Sequence, residues 1–172
     1  MKITSFCDIS KYGKNGGYSM NKYMKIAKEN ADNGISKGEG GPFGAVIVDK
    51  EGNVVSNGNN KVILTNDPTA HAEIVAIRNA CKNLGTYDLT GYSLYTSCEP
   101  CPMCLSAIIW ANIKEVFYGC TKKDAANIGF RDDAIYEYLK GNNDDLIHLE
   151  KMDRDECIKT FEEYNKKNGV IY

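Results

Sequence analysis

Two short stretches, "DPTAHAEIVAI" at 67–77 and "SCEPCPMC" at 97–104, constrain this chain more than any other feature. Each marks the start of a helix. Asp67 suits an N-cap and Pro68 a first helical position, so a helix is expected from there to about Lys82, with Ala72, Val75, Ala76, Asn79 and Ala80 near one stripe. Pro100 biases Glu99 toward an extended backbone, and Pro102 opens a second helix that continues through Trp110. One strand, "YSLYT" at 92–96, lies between them. Helix, strand and helix in that order allow a right-handed crossover to bring both helix starts to one side of a sheet. His71 would then meet Cys101 and Cys104.

The rest of the chain alternates in the same manner. Met20, Tyr23, Met24, Ala27 and Ala31 are spaced as one helical face, which Gly34 and the "KGEGG" run should end. "FGAVIVD" at 43–49 and "NVVSNGNN" at 53–60 read as a hairpin around "DKEGN", and "KEVFYG" at 114–119 as a further strand. "DDAIYEYLK" is helical, "LIHLE" at 146–150 a fifth strand, and "DRDECIKTFEEYNKK" a closing helix. Strands alternating with helices define an α/β layer fold. The chain of 172 residues suits one domain, taken as residues 20–172, preceded by an arm at 1–19 that shows no clear period and is expected to be poorly ordered.

Charge and cysteine usage narrow the functional classes. The net charge is −2 and the pI about 5.7, with no basic stripe, so nucleic acid is an unfavoured partner. No apolar run approaches the ~20 residues that span a bilayer, and the N-terminus lacks the apolar stretch of a signal peptide, so a cytoplasmic protein is expected. Three of the seven cysteines crowd into residues 98–104, which in such a chain indicates metal binding or catalysis more than disulfides. Cys81 and Cys120 read as small core residues.

Cys101 and Cys104 are three apart at a helix start, so both sulfurs share a face near partial positive charge that favours thiolates. One imidazole and two thiolates make three zinc ligands, the number that leaves a catalytic zinc one open position. Glu73, two residues past His71, points elsewhere around its helix and suits a proton shuttle better than a ligand. Other readings remain: a redox Cys-x-x-Cys pair, or a closed structural site with Cys98 as fourth ligand. The joint H-A-E … P-C-P-M-C pattern is the more specific signal, since it matches the zinc-deaminase signature.

With "GGPFGAVIV", "NDPTAHAE", "LYTSCEPCPMC", "VFYG" and "DAANIGFRDD", the chain resembles the cytidine deaminase-like superfamily of zinc deaminases, and within it the bacterial guanine deaminases, over roughly residues 20–172. The resemblance implies a three-layer α/β/α sandwich around a mixed sheet of about five strands. It implies one catalytic zinc ion per chain on His71, Cys101 and Cys104, and attack by zinc-bound hydroxide, with Glu73 as the catalytic shuttle. Guanine would become xanthine and ammonia. Phe43 would stack on the base, Asn60 and Asp132 would hydrogen-bond it, backbone at Ala70 and Glu99 would line the pocket, and Tyr172 would close it. A homodimer that exchanges its C-terminal segment is also implied. Read alone, Asn60 also suits a turn after a strand, Asp132 a helix cap and Phe43 an ordinary core place. The competing activities are deamination of another base or nucleoside (guanosine, cytosine, cytidine) or of tRNA adenosine. A non-enzymatic zinc-stabilised binding module would have no need of Glu73.

Overall fold

The computed structural model describes residues 19–130, 132–142 and 145–171. Four strands, β1 (Gly44–Val48), β2 (Val54–Asn59), β3 (Ser93–Cys98) and β4 (Glu115–Cys120), form one sheet in the order β2-β1-β3-β4. β1 runs antiparallel to both its neighbours, and β3 pairs with β4 in parallel, so the sheet is mixed. Helix α1 (Lys22–Ser36) covers one face, and α3 (Ala72–Leu84) with α4 (Pro102–Trp110) covers the other. The shorter helices are α2 (Val62–Thr65), α5 (Lys122–Asn127) and α6 (Asp132–Leu139), and α7 (Arg154–Lys166) closes the chain.

The strand residues account for the layers. β1 is buried at every position. Its period of two sends Ala45 and Ile47 into the cluster with α3 and α4, and Val46 and Val48 into the cluster with α1. A strand apolar throughout is what burial on both faces requires. Both helices lie very close to the sheet. A Cβ on Gly44 would stand 2.0 Å from the Ala27 carbonyl oxygen, and one on Gly58 would stand 2.2 Å from that of Ala72. Side-chain amides on α3 serve edge strand β2: Asn79 donates to the Asn57 carbonyl at 2.9 Å and Asn83 to that of Val55 at 3.1 Å. Asn79 is therefore an exposed flank of the helix, while Ala72, Glu73, Ile74, Ala76, Ile77 and Ala80 are its buried residues.

Several expectations need correction. Among the described residues the sheet has four strands, not five: residues 146–150 form no strand, and Leu146, Ile147 and Leu149 are exposed. An apolar alternation makes a strand only where a free edge pairs with it, and none does here. Asp67 does not cap the helix. Its carboxylate accepts from both the N–H (2.8 Å) and the hydroxyl (2.6 Å) of Thr69, which closes a turn, and α3 starts at Ala72 with His71 as N-cap. Gly34 lies inside α1, where a Cβ would meet Asn59 Nδ2 at 2.7 Å, and the helix ends at Ser36. Cys120 is exposed on edge strand β4, and Cys81 is half-buried against the core.

Candidate active site

His71 and Cys101 occupy equivalent places in the fold. Each is the N-cap of its helix with an extended backbone, and neither side chain caps its own helix. Both side chains are thus left to face the space between the two helix starts. Cys104 reaches the same space from the first turn of α4. The Sγ atoms of Cys101 and Cys104 each lie 3.6 Å from His71 Nδ1, and the three ligand atoms lie within 4.8 Å of one another. A tetrahedral metal with bonds of ~2.3 Å to sulfur and ~2.0–2.1 Å to nitrogen would place such atoms about 3.6 Å apart. The donor set therefore fits zinc as it stands. Cys98 does not join it, because its thiol points to the Thr121 carbonyl at 3.6 Å.

The electrostatics suit a cation. A hydrogen bond from Cys104, and a further one with His71, hold the Cys101 thiol down to about 4 against the opposing effect of burial. Cys104 is pushed up, first by that same bond and then by burial. The first thiol thus ionises easily and the second resists a second negative charge, a cost that a bound dication removes. His71 is raised, chiefly by its contact with Cys101. Burial raises the carboxyl of Cys98's neighbour across the hollow, Glu73, and also pushes the Cys98 thiol up to about 12.

Glu73 is only 5% exposed. Its Oε1 accepts from the Thr96 hydroxyl at 3.1 Å, and its Oε2 lies 3.5 Å from Cys104 Sγ. It borders a hollow of about 20 Å³ with Phe43, His71, Cys98, Glu99, Cys101, Phe130 and Asp132. The structure thus gathers Phe43, Glu99 and Asp132 with the ligand set. Asp132 is the first residue of α6, and burial raises its carboxyl. Glu99 turns outward, its Oε2 accepting from the Lys122 N–H at 3.1 Å.

Asn60 and Ala70 are not among the residues lining this hollow. The Ala70 carbonyl accepts from the Lys61 N–H at 2.9 Å. Asn60 Oδ1 accepts from the N–H groups of Gly41 (3.2 Å) and Val62 (3.1 Å). Tyr172 lies outside the described residues. Sequence reasoning missed Thr96 and Phe130. Phe130 packs edge-on against Phe43 with centroids 4.7 Å apart. Its signal in the sequence is its place two residues before Asp132. Thr96 carried no local signal beyond a polar residue in a strand. A larger cavity of about 460 Å³ opens between α1 and the ends of β3 and β4, and it contains none of the ligand set.

Residues 18–120 match the cytidine and deoxycytidylate deaminase zinc-binding region, and the chain belongs to that family of zinc-dependent hydrolases acting on C–N bonds. Within it the chain is a guanine deaminase homologue. It is 56% identical over 117 residues to the guanine deaminase of Bacillus subtilis, covering 68% of this chain and 74% of that one. An X-ray structure of guanine deaminase from Bacillus subtilis aligns with a TM-score of 0.79 at 46% identity, over 86% of this chain and 95% of that one. The tRNA-specific adenosine deaminase of Haemophilus influenzae is 44% identical over 110 residues, covering 64% and 63% of the two chains.

Proposed function

We propose that this protein hydrolyses guanine to xanthine and ammonia. The observation that carries the reading is a buried carboxylate, Glu73, set beside three convergent metal-ligand atoms. A structural metal site has no use for such a carboxylate. The similarity to guanine deaminases supports guanine as the base.

His71, Cys101 and Cys104 would hold zinc, which when bound activates water for attack on an amino-bearing ring carbon. Glu73 takes one proton from the attacking water and gives it to the ring nitrogen, then takes the second from the newly added hydroxyl and gives it to the amine, which departs as ammonia. A carboxyl raised by burial toward neutral pH is a stronger proton acceptor, and it can still return the proton to a more basic amine. Phe43 stacks on the base, with Phe130 bracing its ring. Asp132 accepts from ring N–H groups. Asn60, with Oδ1 engaged by backbone, donates through Nδ2 to an acceptor on the purine edge. Ala70 and Glu99 support this wall through their backbone.

Among the described residues no helix is long and apolar enough to cross a membrane, and the reading is of a cytoplasmic enzyme with a small-molecule substrate. The exposed α7 supports a homodimer in which the C-terminal segment, ending in Tyr172, closes the partner's site. Ammonia release across guanine, adenine, cytosine, guanosine and cytidine tests the substrate: guanine should turn over well and the others poorly. Ready turnover of a nucleoside with guanine inert would overturn the assignment.

A further inference from the structure

We propose that Thr96 is a positioning residue: its hydroxyl fixes the Glu73 carboxylate so that Oε2 is turned toward the His71–Cys101–Cys104 cluster. The inference rests on Glu73 being the proton carrier.

Thr96 occupies a place where a hydroxyl is costly. Along β3, Leu94, Thr96 and Cys98 are the buried residues and face the same side of the sheet. Thr96 is 0% exposed. Its partners in register are Ala45 on β1 and Tyr118 on β4. Valine has nearly the same shape and would fill the position without a polar atom. A buried hydroxyl is unfavourable unless hydrogen-bonded, and the partner found for it is Glu73 Oε1 at 3.1 Å.

The geometry makes this bond a positioning device. Thr96 is β-branched and stiff at its first torsion, and it stands in an interior strand of the sheet. Glu73 comes from a different element, the first turn of α3, on a longer and freer side chain. The bond ties the carboxylate to the sheet as well as to the helix. With Oε1 held at the sheet, Oε2 lies 3.5 Å from Cys104 Sγ. Without the hydroxyl, Oε1 loses its donor and the carboxylate can rotate away from the cluster.

The test compares Thr96→Val, Thr96→Ser, Glu73→Gln and the double variant Thr96→Val/Glu73→Gln, each measured for zinc content, KM and kcat on guanine. Thr96→Val should lower kcat about 10- to 100-fold, the scale of a misplaced catalytic group, with KM and zinc content unchanged. Thr96→Ser keeps the donor and should restore kcat to within about threefold of the parent, since the hydrogen bond is retained. In the Glu73→Gln background Thr96→Val should cause no further loss. Should the valine variant fail to fold, Thr96→Ala against Thr96→Ser makes the same comparison. A normal kcat in Thr96→Val beside an inactive Glu73→Gln would overturn the inference and leave the role of Glu73 standing. Loss of zinc in Thr96→Val, or a further loss in the double variant, would also overturn it, because Thr96 would then act other than through Glu73. A fully active Glu73→Gln would instead remove the reading of Glu73 itself.

Discussion

Cys98, Cys101 and Cys104 fall within seven residues, and side-chain direction separates them. The last two face His71, whereas Cys98 faces the Thr121 carbonyl. Cys98→Ser should therefore keep one zinc per chain, while Cys101→Ser and Cys104→Ser should lose most of it, as read by elemental analysis of the folded protein. Equal loss in all three would indicate a closed four-ligand site. Asn60 allows a second prediction. Its Oδ1 is held by two backbone N–H groups, so Asn60→Asp would keep that bond and put a second oxygen where Nδ2 stood. An acceptor on the base would then meet an acceptor. An unmet buried polar contact costs ~1–3 kcal/mol, so KM for guanine should rise about 5- to 150-fold, with zinc content retained. The ligand set was legible in the sequence because Cys101 and Cys104 are spaced for one helix face and the joint H-A-E … P-C-P-M-C pattern, which adds His71, matches the zinc-deaminase signature. Thr96 was not, because its partner comes from another element and no local pattern records the pairing.

At the scale of elements, the two helix starts are the device that makes the site. The strands and most of the helices were legible from apolar periodicity, and the "PCPMC" start was placed correctly because Pro102 sits at the first helical position. The start of α3 was misplaced because Asp-Pro serves a turn as well as a helix, and Thr69 captures the Asp67 carboxylate. Without knowledge of that contact the two starts look alike. The correction has a functional consequence: His71 becomes an N-cap, free of the helix it introduces. What sets the height of α3 over the sheet is Gly58, where an added Cβ would stand 2.2 Å from the Ala72 carbonyl oxygen and 2.6 Å from the Ala76 N–H nitrogen. Backbone cannot yield as a side-chain end can. Gly58→Ala should thus push the first turn of α3 off β2 and displace His71 and Glu73 together. Overpacking of this kind costs ~1–3 kcal/mol or more, seen as a lower midpoint in chemical denaturation. Turnover should fall by more than the unfolded fraction explains. An alanine variant of parental stability and activity would show that the helix seats elsewhere.

At the scale of the whole molecule, α7 is the part the single chain does not account for. Every residue from Lys151 to Lys166 is exposed except Ile158, which is half-buried. Ile158, Phe161 and Tyr164 follow one another at intervals of three, and Phe161 is 72% exposed. A helix of 13 residues is marginal in water by itself, so its stability calls for packing that the described residues do not supply. The tail beyond it is tied to the helix rather than to the body. Gly169 donates to the Tyr164 carbonyl at 3.0 Å, and the Tyr164 hydroxyl donates to the Val170 carbonyl at 2.6 Å. A Cβ on Gly169 would lie 2.1 Å from the Tyr164 ring, so a side chain there would push that ring aside. Wherever α7 docks, Gly169 and Val170 go with it. A second copy would supply both such packing and a site to close. The protein should run as a homodimer by light scattering, and removal of residues 153–172 should weaken that dimer. Removal of "GVIY" alone should leave the dimer intact and raise KM or lower kcat, because closing segments exclude water and order the substrate. A stable, fully active monomer in dilute solution would rule out exchange of this segment between subunits.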